Sequence, residues 1–138
     1  MARVMVVDDA AFMRAMLAGI LQDAGHEVVV QCENGARALA LYPLVRPDLV
    51  TMDVIMPGES GVETARRLLA ADPAARIIMV TGISEREVVE EALALGVRCY
   101  VLKPFDPDRV RDCVEQALAG AAGPAPLLSR AESAKAGA

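Results

Sequence analysis

The sequence predicts an α/β domain, a parallel sheet covered by helices on both faces. Strand-like apolar runs alternate with helix-period segments from end to end. Three of those runs, Val4 to Val7, Leu49 to Met52 and Ile77 to Val80, are apolar on both faces, as in the middle of such a sheet. Each also stops at a functional group: Asp8-Asp9, Asp53 and Thr81-Gly82. A fourth run, Tyr100-Val101-Leu102, ends at Lys103-Pro104.

The elements follow in order. A strand is expected near 3–8 and a helix near 10–24, where Phe12, Met16 and Ile20 recur every four residues beside Met13 and Leu17. Ala24-Gly25-His26 closes that helix. A second strand lies near 27–32, and Asn34-Gly35 opens a helix near 35–44 that ends before Pro47. The third strand is near 48–53. Its helix, near 61–71, follows the loop Met56 to Gly61 and stops at Asp72-Pro73. The fourth strand is near 76–81. Ser84-Glu85-Arg86-Glu87 reads as a capping box for a helix near 85–95, closed by Gly96. The fifth strand is near 98–102. Asp106-Pro107, a cap followed by proline at the first helical position, begins a helix to about 119 with Val110, Val114 and Leu118 on one face.

The second strand has polar flanks, and the fifth contains Arg98 and Tyr100, so both suit sheet edges. Right-handed crossovers then allow the order 2-1-3-4-5, already known for doubly wound sheets, with ligands at the carboxyl ends of the strands. Residues 1–119 are expected to form the domain and 120–138 a flexible C-terminal tail. That tail opens with a Gly/Ala/Pro-rich linker and carries few large apolar residues beyond Leu127-Leu128.

Composition narrows the function classes. The 138 residues suffice for one domain with a real core, which must be aliphatic because the chain has no Trp, two Tyr and two Phe. A formal charge of −5 argues against a nonspecific nucleic-acid surface. No apolar stretch approaches the roughly 20 residues of a membrane span, and the first strand begins too early for a signal peptide. A cytoplasmic protein is expected. Cys32, Cys99 and Cys113 are widely spaced and odd in number, and read as reduced, partly buried thiols. Met5, Met52 and Met79 read as core, His26 as an ordinary turn residue, and Glu85, Glu87, Glu90 and Glu91 as the wet face of a helix.

Three carboxylates at the ends of adjacent central strands repel one another unless a cation or protons intervene. Magnesium suits Asp8, Asp9 and Asp53, because it prefers oxygen ligands and is usually held by one or two carboxylates plus phosphate oxygens. Manganese is an alternative occupant. A carboxylate at position 53 can act as a nucleophile toward phosphorus and form an acyl phosphate. Lys103 adds positive charge, Thr81 offers a hydroxyl, and Gly82 lets its backbone N–H approach a phosphoryl oxygen without a clash.

This set of motifs resembles the receiver domain of two-component response regulators over about residues 2–119: the acidic pair, Asp53 followed by Met56-Pro57, Thr81-Gly82, and Lys103-Pro104-Phe105. The resemblance implies a (βα)5 flavodoxin-like sandwich. It implies that Asp53 is the phosphoacceptor, that Asp9, Asp53 and the Ile55 carbonyl ligate the metal, and that Asp8 helps through water. Thr81 and Lys103 would bind the phosphoryl group, with Asp53, Thr81 and Lys103 forming the catalytic set. The Lys103-Pro104 bond is expected to be cis. After phosphorylation Thr81 would move toward the phosphoryl group and Tyr100 would turn inward, altering the surface of the fourth helix, fifth strand and fifth helix for a partner.

The stretch Val7 to Arg14 looks most like single-domain chemotaxis-type receivers. The implied donor is a sensor histidine kinase, and the implied target is a protein such as a flagellar motor switch component. Nucleic acid and membrane are not expected partners, and a monomer or weak dimer is expected. Such a protein is a self-phosphorylating and self-dephosphorylating switch rather than a conventional enzyme. A phosphorelay intermediate or a regulator of another enzyme in trans is the alternative. An aspartyl-nucleophile phosphohydrolase is less favoured, because position 55 is Ile rather than a second Asp and there is no cap-sized insertion. A flavin carrier would need a phosphate cradle where Asp8-Asp9 stand. Ile55 and Ile83, two residues after Asp53 and Thr81, leave an attacking water no hydrogen-bond partner, so slow to intermediate self-dephosphorylation is expected. The same apolar pair argues against a phosphatase that reads polar side chains there.

Overall fold

In the computed structural model, which describes residues 1–119, strands and helices alternate without exception. They are β1 (Arg3–Val7), α1 (Ala11–Asp23), β2 (Glu27–Cys32), α2 (Gly35–Val45), β3 (Leu49–Met52), α3 (Gly61–Ala71), β4 (Ile77–Thr81), α4 (Arg86–Leu95), β5 (Cys99–Leu102) and α5 (Pro107–Ala119). All five strands are parallel, in the order β2-β1-β3-β4-β5. The expectation for 120–138 lies outside the described residues.

Burial matches only part of this order, because β5 takes an edge although Cys99, Tyr100 and Val101 are buried and Arg98, whose polarity suggested an edge, is 3% exposed. β1, β3 and β4 are buried along nearly their whole length, while β2 is only half-buried and takes an edge. Met5, Met52 and Met79 are fully buried, as expected of core methionines. Register places the chemistry. Val7 lies opposite Met52, so the residues that follow, Asp8 and Asp53, emerge side by side. Thr81 lies opposite Leu102, which sets Lys103 at the same edge.

Local signals decide most boundaries. The Asn34 side chain accepts the Arg37 N–H at 2.8 Å, and Asp106 accepts the Arg109 N–H at 2.8 Å, so both caps form as the sequence suggests. Ser60 caps α3 through the Glu63 N–H. Gly96 ends α4 with φ +110°, a left-handed conformation that suits glycine. His26 is a turn residue whose Nδ1 accepts the Ala2 N–H.

The face of α1 that packs is set by tertiary contact, and two expectations, the Ser84 capping box and the three reduced thiols, are corrected. The buried stripe of α1 is Leu17, Ala18 and Leu21, while Phe12 is 72% exposed and Met16 39% exposed. Two apolar stripes run side by side on this helix, and only contact with the sheet selects between them. The capping box at Ser84 does not form: Glu85 holds the cap position of α4 and no side chain makes the cap bond. Finally, Cys99 and Cys113 form a disulfide joining β5 to α5, leaving Cys32 as the free, buried thiol. Cys99 lies in the core, Cys113 lies on the buried stripe of α5, and their Cα atoms are 5.9 Å apart. Linear spacing does not reveal that proximity.

Candidate functional site

The site lies at the carboxyl edge of β1, β3, β4 and β5. Asp53 is held there through its backbone, its N–H donating to the Val7 carbonyl at 3.0 Å. Asp8 and Asp53 are buried and Asp9 is exposed. One carboxylate oxygen from each lies within 4.8 Å of the others.

Lys103 counters this charge. Its Nζ donates to Asp8 Oδ2 at 2.8 Å and to Asp53 Oδ2 at 3.0 Å. Burial, the largest influence, pulls the ammonium pKa down, but hydrogen bonds and charge from Asp8 and Asp53 outweigh it, and the net shift is upward. Asp8 is engaged through both oxygens, because Oδ1 accepts the Ala10 N–H at 2.9 Å. Asp53 Oδ1 meets only a long contact from the Ile55 N–H at 3.4 Å.

The other expected residues sit around this centre. Thr81 is buried, and its hydroxyl accepts the Ile83 N–H at 3.3 Å. Tyr100 is already turned inward, 2% exposed, with its hydroxyl donating to the Ile83 carbonyl at 2.6 Å. Ile55 is 60% exposed in the loop after Asp53. The Lys103-Pro104 peptide is cis. A Cβ built on Gly82 would meet open space, so packing does not demand glycine there.

Several contributors were not legible in sequence. Arg14 Nη1 donates to the Asp8 carbonyl at 2.7 Å and braces the β1 exit from the first turns of α1. Gly61 packs against the backbone of Asp53, where a Cβ would fall 1.8 Å from the Asp53 carbonyl oxygen. Its N–H also closes the β3–α3 loop by donating to the Val54 carbonyl at 2.8 Å. The glycine itself was the available signal, since a backbone that approaches another so closely excludes any side chain.

A doubly wound parallel sheet with an acidic cluster and a lysine at its carboxyl edge defines an α/β domain of the class that gathers its functional groups where parallel strands end. The profile of the response regulator receiver domain matches residues 4–115, and the chain belongs to that family. It is 39% identical to the chemotaxis protein CheY of Listeria monocytogenes over 117 residues, covering 85% of this chain and 98% of the relative. It is 34% identical to sporulation initiation phosphotransferase F of Bacillus subtilis, covering 84% and 93%. Among solved structures it resembles the CheX–CheY–BeF3–Mg complex of Borrelia burgdorferi, with TM-score 0.74, 27% identity and coverage of 81% and 85%.

The donor set fits a small hard cation. Every side-chain ligand offered is a carboxylate oxygen, and three of them converge. Asp8 is hydrogen-bonded through both oxygens, while Asp9 and Asp53 Oδ1 are less engaged and could hold such a cation. No helix among the described residues is long and apolar enough to cross a membrane.

Proposed function

We propose that this protein is a phosphorylation-operated switch of two-component signalling in which Asp53 takes a phosphoryl group from a histidine kinase. The observation that carries this reading is the Lys103 ammonium bridging Asp8 and Asp53 beside a third carboxylate. The Asp53 carboxylate attacks phosphorus, the O–P bond forms, the N–P bond of the donor phosphohistidine breaks, and the imidazole leaves. Lys103 lies on the Asp53 oxygen and pairs with the incoming phosphoryl oxygens. Thr81 supplies a hydroxyl donor, and the Gly82 backbone N–H lies beside it in sequence. Asp9, Asp53 and the Ile55 carbonyl would hold Mg2+, or Mn2+ in its place, with Asp8 acting through water. A cation held by these residues would offset negative charge on the transferring group.

The output follows from Thr81 and Tyr100, which meet at Ile83, and from the α4–β5–α5 surface beside them. A full switch from 1:99 to 99:1 needs roughly 5.5 kcal/mol of differential stabilisation. Similarity to chemotaxis proteins favours motility control, with a motor-switch component as target, in the cytoplasm. The similarity to a sporulation phosphotransferase keeps a phosphorelay step as the second reading.

The test is incubation with a small acyl phosphate and Mg2+, read by intact mass. Wild type should gain one phosphoryl group, and Asp53→Asn should gain none. Equal labelling of both proteins, or none of wild type with or without its kinase, removes the proposal. A pull-down with beryllofluoride-treated wild type against Asp53→Asn then separates the outputs: a motor-switch component supports chemotaxis, and a histidine-phosphotransfer protein supports the relay.

A further inference from the structure

The loop between β3 and α3 carries the Ile55 carbonyl, so whatever holds that loop also sets the proposed cation site. Its base is closed by Gly61 N–H on the Val54 carbonyl at 2.8 Å. Its far side is held differently. Thr64, fully buried in the second turn of α3, donates from Oγ1 to Glu59 Oε2 at 2.9 Å, with the Ser60 carbonyl at 3.2 Å as a second acceptor. The other Glu59 oxygen faces Arg67 Nε at 3.4 Å. Gly35, the first residue of α2, leaves room for this hydroxyl, since a Cβ there would lie 2.0 Å from Thr64 Oγ1.

We infer that Thr64, acting through Glu59, is a positioning residue for the divalent-cation site. This rests on the cation reading given above. A buried hydroxyl bonded to a carboxylate is a charge-assisted contact, stronger than a neutral one. It pins residue 59 to α3, which is itself set against the backbone of Asp53 by Gly61. The segment between 54 and 61 is therefore tied at two places. Without the Glu59 tie, the loop samples more conformations, and ordering it around a cation costs more entropy.

The test is Mn2+ binding, read as loss of the free-ion EPR signal, on the full chain at a temperature where circular dichroism shows every variant folded. Thr64→Val should weaken Mn2+ about threefold to tenfold, the part of one charged hydrogen bond that binding would recover. Thr64→Ser, which keeps the hydroxyl, should return to wild type. Glu59 is partly exposed, so Glu59→Ala keeps the question open to measurement even if Thr64→Val does not fold. It should match Thr64→Val, and the double variant should be no weaker than either single one. Glu59→Gln keeps an acceptor oxygen but loses the charge that strengthens the bond, so it should fall between wild type and Glu59→Ala. Wild-type affinity in Thr64→Val, with only a lower melting temperature, would show a merely structural hydroxyl and overturn the inference. Glu59→Gln as weak as Glu59→Ala would assign the effect to charge and overturn it equally. An additive double variant would also break the proposed link. A wild type whose Mn2+ binding is absent, or survives in Asp9→Asn, would instead remove the cation reading, and this inference with it.

Discussion

The backbone of Ile83 joins Thr81 to Tyr100: its N–H donates to the Thr81 hydroxyl at 3.3 Å, and its carbonyl accepts the Tyr100 phenol at 2.6 Å. The phenol contact is short and lies in a largely dry setting, so it contributes to holding the inward rotamer.

Tyr100→Phe keeps the packed ring and removes the donor. The Ile83 carbonyl then loses its phenol, at a cost of about 1–3 kcal/mol. Urea unfolding should show a lower midpoint with an unchanged slope. An unchanged midpoint would mean that water replaces the phenol without penalty.

Both tyrosines resist ionisation in the fold. Burial first, then the charges of Glu85 and Asp53, push the Tyr100 phenol up to about 12. Burial, the hydrogen bond to Asp72 and the charge of Asp72 push Tyr42 up as well. The unfolded chain ionises near 10, so it releases these protons first as pH rises. The stability that Tyr100 contributes is complete below about pH 10 and falls as pH climbs toward 12, and that of Tyr42 changes in the same direction. A phenolate absorbance titration of the native protein should stay flat near pH 10, whereas the urea-unfolded chain titrates there. A native signal at pH 10 would contradict the burial of Tyr100 and the partial burial of Tyr42.

Lys103→Met leaves the buried Asp8 and Asp53 carboxylates facing each other without their ammonium. The expected loss is about 3–5 kcal/mol of stability in metal-free buffer. Adding Asp53→Asn to the same chain should recover part of that loss, because one of the two facing charges disappears. Urea curves for the single and double variants measure both effects. A Lys103→Met protein as stable as wild type would show that the pair is already relieved by solvent.

The disulfide predicts a thiol count. Protein unfolded without reductant should bind alkylating reagent at Cys32 alone, and reduction should raise the count to three. Closing a loop of this length contributes about 3 kcal/mol in the chain-entropy account, so reduced protein should melt earlier. Three labelled cysteines before reduction would show two thiols in place of the bond.

Ile55 is 60% exposed and Ile83 half-buried, on the two loops after Asp53 and Thr81. Neither side chain can orient a water that attacks phosphorus on Asp53. Replacing both with polar residues should speed loss of phosphate about tenfold, equal to 1.4 kcal/mol in the barrier. Single-turnover decay of phosphorylated protein measures it, and an unchanged half-life would mean that water is placed by other groups.

Strand hydrophobicity made the sheet legible. Runs that are apolar on both faces need cover on both faces, which places β1, β3 and β4 in the middle and β2 and β5 at the edges. The polar residue at each strand end then meets its neighbours, because parallel strands finish at one edge. Asp8, Asp9, Asp53, Thr81 and Lys103 could therefore be named as a group from order alone. Local caps were equally readable at Asn34 and Asp106, where the bond spans three residues.

Contacts between distant segments were beyond that reach. Nothing in the spacing of Cys99 and Cys113 says that β5 and α5 face each other at bonding distance. The periodicity of α1 did not say that Leu17 and Leu21 would be covered while Phe12 stays in solvent. The inward rotamer of Tyr100 depends on a carbonyl from another loop, and the Glu59–Thr64 bond on how α2 and α3 pack. Periodicity and strand order are properties of neighbouring residues along a chain, so they can be read in one dimension. Rotamers, disulfides and loop anchors are selected by which surfaces meet, and that is decided only when the sheet and its helices close on one core.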